Sequence, residues 1–273
     1  IAGIDPRMAN LFVITTLLIS VPIAELCFVY IATLYGGSIT FNTPMLWALS
    51  FLVEFLIGGV TGIFLGASGA DVYFHDTYFV VAHFHYTFVP IAIIGFYAGI
   101  TYWFPKISGK MLSDRLGRIH FWGTIIPFNF IFIPLFILGT AGQHRRIWNY
   151  EHFRDLALPE FYNLRVIATV SLLIMISFQF VFVFNLIKSL RSKKKAPKNP
   201  WNSNTLEWTA DSPPPHGNWP VLPTVYRGPY EYNHPDRETD FWPQNEPGPD
   251  PADPDYTSRP ATDSDFQSAN PNL

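Results

Sequence analysis

Residues 75–86 read His75-Asp76-Thr77-Tyr78-Phe79-Val80-Val81-Ala82-His83-Phe84-His85-Tyr86, and the placing of His83 and His85 inside an apolar run decides how the rest of the chain is read. Neutral imidazole binds iron, copper and zinc, and in hydrocarbon an imidazole without a partner is costly. Two of them in a membrane segment therefore point to function. Residues i and i+2 of a helix lie on nearly opposite faces, so His83 and His85 do not close on one metal as an i, i+4 pair does. The spacing suits two separate irons, one on either side of the helix, with Phe84 between. The alternative is a pair of polar residues packed in a bundle and hydrogen-bonded to neighbouring helices.

Around this stretch lie five apolar runs, approximately residues 9–35, 44–67, 77–104, 119–140 and 164–190. Each has the roughly 20 residues that a helix needs to cross a bilayer. None has the alternation of a barrel strand, so the expected fold class is an all-α integral membrane protein of five transmembrane helices. The division of the chain follows. Residues 1–192 form a helix bundle, and 193–273 an irregular proline-rich acidic tail. Of the 24 prolines, 16 lie from Pro197 onward, and from Asn199 to the end there are 12 acids against three arginines. The net charge of −3 describes neither half, and no nucleic-acid partner is expected. The tail has too few aliphatic residues to bury much of a core. Its Trp201, Trp208, Trp219 and Trp242 suggest docking on another surface, Pro213-Pro214-Pro215 an extended segment, and the residues past about Pro247 disorder. A single cysteine, Cys27, excludes a disulfide framework and a cysteine metal site. The chain starts at Ile1 without a signal-peptide pattern, which suggests the later part of a longer polypeptide or one piece of a split one.

Basic residues set the orientation. Lys106, Lys110, Arg115 and Arg118 follow the third run, and Lys188, Arg191, Lys193, Lys194, Lys195 and Lys198 follow the fifth. Both places fall on one side if the spans alternate, and the positive-inside bias makes that side, and the tail, cytoplasmic. The loop at 141–165 breaks the bias with Arg145, Arg146, Arg154 and Arg165, partly balanced by Glu151, Asp155 and Glu160. An arginine fork matches a carboxylate, as on a haem propionate, although a solvated loop with local ion pairs gives the same pattern. Gly58, Gly59, Gly62 and Gly66 offer small faces for close helix contact. Pro90 is expected to kink the third span or free a carbonyl, with Pro127 and Pro134 acting alike in the fourth.

Residues 75–86 resemble the haem-copper oxidases, specifically subunit I of cytochrome c oxidase. So, in order, do Ala32-Thr33-Leu34-Tyr35-Gly36-Gly37, Met45-Leu46-Trp47-Ala48-Leu49, Gly58-Gly59-Val60-Thr61-Gly62, Trp103-Phe104-Pro105, His144-Arg145-Arg146 and Leu206-Glu207-Trp208-Thr209 leading into Ser212-Pro213-Pro214-Pro215-His216-Gly217. The last is similar to bacterial members in particular. The resemblance implies the last five of twelve helices and two haems of a-type. His83 would be the axial ligand of the high-spin haem where oxygen is reduced, and His85 one of two ligands of the low-spin haem. Phe84 would lie between the haems, and Asp71, Arg145 and Arg146 would hold the propionates. His75 and Asp76 would bind magnesium near the subunit II interface, where a hard cation suits the carboxylate. The resemblance also implies copper, whose ligands lie N-terminal to this chain in the family. The implied partners are the N-terminal part of subunit I, subunits II and III, cytochrome c or a fused or docked c-type haem domain, and the lipid of a bacterial inner membrane.

The chain departs from the family on its first span. Where oxygen-reducing members usually carry the lysine of one proton channel, alignment on Pro22 and Ala32-Thr33-Leu34 places Leu26, with Glu25 beside it. Glu54 on the second span also takes a usually apolar position, and Pro90 just past the histidines is atypical. A buried carboxylate must be protonated or paired. Glu25 and Glu54, with Thr61, are therefore candidates for a rearranged proton path, or else face a cavity or a neighbouring subunit. The expected function is part of the catalytic subunit of a respiratory terminal oxidase reducing oxygen to water. The alternatives are a non-catalytic oxidase-like haem or scaffold subunit and a quinol-oxidising enzyme.

Overall fold

The computed structural model describes residues 4–150, 160–229, 231 and 241–247. The expected disorder past Pro247 lies outside these residues, as do Glu151, Arg154 and Asp155 and the side chain of Glu160. Among the described residues the regular elements are all helical: α1 Pro6–Leu18, α2 Ser20–Leu34, α3 Thr43–Gly66, α4 Ser68–Phe74, α5 Tyr78–Val89, a π-helical turn Pro90–Ile94, α6 Gly95–Ser108, α7 Asp114–Thr140, α8 Glu160–Leu190 and a 3-10 turn Leu206–Thr209. Five stretches are long and apolar enough to cross a bilayer: Arg7–Leu34, Thr43–Gly66, Tyr78–Ser108, Asp114–Thr140 and Asn163–Leu190. They fall on the five runs read from the sequence.

Prolines and polar first turns account for the details. Pro22 has no N–H for the Leu18 carbonyl, so the first span divides at Ile19, where Ile19 N–H reaches the Thr15 carbonyl at 3.3 Å and Ile23 N–H the Ile19 carbonyl at 3.4 Å. Pro90 likewise has no N–H for the Tyr86 carbonyl. The third span answers with a widened turn, in which Gly95 N–H bonds the Pro90 carbonyl, and then resumes as α6. Pro127 and Pro134, by contrast, are carried within α7. This helix starts earlier than its apolar run. Asp114 accepts from the Thr43 N–H at 3.0 Å and hydroxyl at 2.8 Å, and its other oxygen accepts from Arg118 Nε at 2.6 Å.

The chain divides into two compact units, residues 1–102 with 112–188 and residues 103–111 with 189–273. In the first, α3, α5 and α7 pack together around Ala82, Tyr86, Phe128, Ile131 and Phe132, and around Trp47, Ile94, Phe121 and Ile125. Small residues permit the approach. A Cβ at Gly58 would stand 2.6 Å from the Tyr86 carbonyl oxygen, and one at Gly62 2.9 Å from His83 Cε1. Gly66 meets Leu17 in the same way, whereas Gly59 faces open space. A polar network ties α8 to this core: the Tyr97 hydroxyl and His120 Nε2 both donate to Gln179 Oε1, and Gln179 Nε2 donates to Thr124. Outward faces carry large apolar side chains such as Leu18, Phe28, Phe180 and Phe184.

The second unit buries more than its composition suggests. Trp208 and Trp242 are 1% and 3% exposed. Lys106 donates to the Ala210 carbonyl at 2.6 Å and lies over the Trp208 ring, and Arg227 stacks on Trp242 at 3.5 Å while donating to the Pro243 carbonyl. Cations covering indole faces supply the packing that aliphatic side chains supply elsewhere. Ala196 N–H bonds the Gly109 carbonyl at 2.8 Å, so the basic segments after the third and fifth spans meet in this unit.

Candidate functional site

Helix α5 opens at Thr77, whose hydroxyl accepts from the Phe79 N–H, and its second and third turns carry His83 and His85. His83 Nδ1 lies 3.0 Å from the Gly58 carbonyl oxygen of α3, with the Thr61 hydroxyl at 3.2 Å. That hydroxyl also donates to the Ile57 and Gly58 carbonyls at 2.9 Å. A carbonyl only accepts, so His83 carries its proton on Nδ1 and presents the Nε2 lone pair. His85 repeats the arrangement on its own helix, its Nδ1 donating to the Val81 carbonyl at 2.8 Å. Its ring stacks on Phe132 of α7 at 4.3 Å and against Phe84 at 4.4 Å. The two imidazoles thus face α3 and α7 respectively, and each has a fixed tautomer with Nε2 free to ligate. Phe84 is 40% exposed between them.

His83 borders a cavity of about 230 Å³ whose lining includes the apolar Gly62 and Val80 and the polar Asp71, His75, Asp76 and Arg145. The polar lining comes from two turns that pair. Thr77 and His144 form an isolated antiparallel bridge, Tyr78 N–H bonds the Gln143 carbonyl, and Arg145 N–H bonds the Asp76 carbonyl, with Asp76 and Arg146 at positive φ. Arg145 reaches Asp76 Oδ1 through Nε at 2.9 Å and Nη2 at 2.7 Å. This guanidinium hydrogen bond, ahead of the charges of Arg145, His75 and Arg146, holds the Asp76 carboxyl below the usual carboxylate range. His75 stands between two carboxylates, Nδ1 3.4 Å from Asp71 and Nε2 3.8 Å from Asp76.

The structure therefore gathers Asp71, His75, Asp76, His83, Thr61 and Arg145 at one site. Arg146 is exposed and does not line the cavity, and Arg165 donates twice to Gln143 Oε1, at 2.9 and 2.7 Å. Glu25 lies on an exposed face of α2, whereas Glu54 is 3% exposed and accepts from Asn129 Nδ2 at 2.7 Å. Asn129, the Gly58 carbonyl and Phe132 are site residues that the sequence reading missed. The signal for Asn129 was present, a lone amide in an otherwise apolar run. Among the described residues no three His, Cys, Asp or Glu side chains come together to hold a bare metal ion. The donor set fits haem instead. Each ring offers one oriented imidazole nitrogen, Gly62 leaves room for the His83 ring against α3, and Asp71, Asp76 and Arg145 line the same cavity as His83.

Comparison with known proteins identifies the family. Residues 1–196 match the family model for cytochrome c and quinol oxidase polypeptide I. The chain is 42% identical to cytochrome c oxidase subunit 1 of Thermostichus vulcanus, covering 85% of this chain and 41% of that protein. It is also 42% identical to the alternative cytochrome c oxidase subunit 1 of Bradyrhizobium diazoefficiens, covering 91% and 42%, and 40% identical to cytochrome c oxidase subunit 1 of Synechocystis, covering 85% and 41%. It spans about two fifths of the length of these relatives. With the family model matched over most of its length, the chain belongs to the cytochrome c and quinol oxidase polypeptide I family.

Proposed function

We propose that this chain is the haem-binding part of the catalytic subunit of a respiratory terminal oxidase, which takes electrons through a low-spin to a high-spin haem and reduces oxygen to water with coupled proton uptake. The observation that carries the reading is the pair of imidazoles with Nδ1 fixed to carbonyls, the His83 ring packed on α3 and the His85 ring on Phe132 of α7. When bound, haem supplies the one-electron and oxygen chemistry. His83 would ligate the high-spin haem, with the Gly58 carbonyl and Thr61 hydroxyl fixing its ring and raising its basicity. His85 would ligate the low-spin haem, its ring stacked on Phe132 and packed against Phe84, and Phe84 would separate the two groups. Asp71, Arg145 and Arg146 would hold the propionates. Arg145 is well placed for this because it already borders the cavity and draws Asp76 into position.

The remaining assignments follow the same reading. The haems are a-type, magnesium binds at His75 and Asp76, and copper is held by residues of the N-terminal part of subunit I. Subunits II and III complete the enzyme, with cytochrome c or a fused or docked c-type haem domain as donor. The protein lies in the bacterial inner membrane, with residues 1–192 as the bundle and 193–273 as a cytoplasmic tail. The basic segments that meet at Gly109 and Ala196 support that orientation. The proton path draws on Glu54 and Thr61, both on the inner face of α3, ahead of the exposed Glu25. The test is metal and haem analysis of the purified complex. Two haems and a copper per complex are expected, and haem without copper would favour an electron-transfer subunit.

A further inference from the structure

Among the described residues Glu54 is the acid buried within a membrane span, and only one of its oxygens is accounted for. Oε1 accepts from Asn129 Nδ2 at 2.7 Å, and Asn129 Oδ1 in turn accepts from the Tyr86 hydroxyl at 2.7 Å. Tyr86 is fully buried and adjoins His85 in sequence. Oε2 is buried without a hydrogen-bond partner, as is Trp47 Nε1 on the same helix. Thr43, Trp47, Ser50 and Glu54 are all buried and recur at i, i+3 and i+4 spacing along α3. They make a polar seam from the Thr43–Asp114 contact to Glu54. A buried polar atom left unsatisfied is costly, and an ionised carboxylate with a bare oxygen in an apolar bundle is costlier still. A proton on Oε2 removes the charge and leaves only the smaller cost of one unpaired hydroxyl. The ionised form is tolerable only while a positive charge stands near.

We propose that Glu54 is a redox-linked acid: one proton from water at the Thr43 end of the seam adds to Oε2 when one electron from the oxidase's donor enters the bundle, and leaves when the electron leaves. The electron adds negative charge at the groups ligated by His83 and His85, and the proton offsets it, so the net charge of the low-dielectric interior stays constant. This rests on the haem-ligation reading above. Asn129 positions the acid and links it to Tyr86. Of the elements packed on α3, α5 faces Glu54 with Tyr86 and α7 with Asn129, while about two turns along the seam His120 of α7 and Tyr97 of α6 pack on Trp47 at 5.2 and 4.9 Å. Asp71 and His75 lie with Gly62 at the cavity, about 12 Å further along α3 by helical rise. Glu25 of α2 and Arg7 of α1 are exposed.

The experiment is the reduced-minus-oxidised infrared difference spectrum of the assembled complex, with optical spectra of the same samples. Wild type should gain on reduction a protonated-carboxyl C=O band that shifts in deuterium oxide. Glu54→Gln should lose that band and bind one proton fewer per reduction, with haem spectra unchanged. Asn129→Ser, with Glu54 intact, should move the band without abolishing it, and serves where the Gln variant assembles poorly. Intact haem spectra without the band, or a band that survives in the Gln variant or stays unmoved in the Ser variant, would overturn this proposal alone. A wild-type complex without haem would overturn the haem-ligation reading and this proposal with it.

Discussion

At His83 and His85 the bundle makes one chemical choice twice, giving Nδ1–H to a carbonyl so that Nε2 is left as a base. The partners differ: His83 is held from a neighbouring helix, while His85 is held from its own. Gly62→Ala therefore acts on His83 alone, since a Cβ there would stand 2.9 Å from Cε1. The crowding should cost about 1–3 kcal/mol and lower retention of the carbon-monoxide-reactive haem, measured as haem-to-protein ratio with the low-spin signal unchanged. Asp76 gives a pH prediction. Its folded-state value lies below the unfolded one, so its contact with Arg145 contributes above the ordinary aspartate value of about 3.9 and is lost as pH falls through the lower folded value. Asp76→Asn should flatten the acid limb of a melting-temperature profile, and an unchanged limb would show the contact to be idle. The histidines were legible because spacing alone separates their faces. The Gly58 carbonyl was not, since no residue type marks which backbone oxygen a side chain will find.

At the scale of elements, α3 and α5 are held close by Gly58, which a Cβ would bring within 2.6 Å of the Tyr86 carbonyl oxygen. Gly58→Ala should destabilise the bundle by about 1–3 kcal/mol, read as a lower melting temperature of the solubilised complex. An unchanged melting temperature would mean that the helices part freely. The five spans were readable because runs of this length and apolarity have one solution in lipid. Their ends were less so. Asp114 and Arg118 are too polar for a hydropathy reading, yet they form the first turn of α7 because Thr43 and the i+4 pairing satisfy them. Pro90 was read correctly as a disturbance. That it becomes a π-helical turn, and that Pro127 and Pro134 leave α7 continuous, depends on packing that the sequence does not spell out.

At the scale of the whole molecule, the tail was read from composition as unable to build a core, but Trp208 and Trp242 are buried within its unit. The cause is non-local. Lys106 and Arg227 cover indole faces, and Asn204 and Gln244 tie distant backbone groups, through Trp242 N–H to Asn204 at 2.7 Å and Leu206 N–H to Gln244 at 2.9 Å. Trp208→Ala should cost that unit about 3–5 kcal/mol, seen as faster proteolysis within residues 193–247 while the bundle stays resistant. Equal resistance of variant and wild type would mean that this packing adds no stability. The family and the membrane bundle rest on the sequence matches and the helices together. Ligation of two different haems by His83 and His85 underlies the whole proposed function. It is tested most directly by reduced-minus-oxidised optical spectra of the purified complex, with and without carbon monoxide, for wild type, His83→Ala and His85→Ala. The account predicts that the first substitution removes the carbon-monoxide-reactive high-spin haem and leaves the low-spin band, and that the second does the reverse. Loss of the same haem in both variants, or of neither, would contradict it.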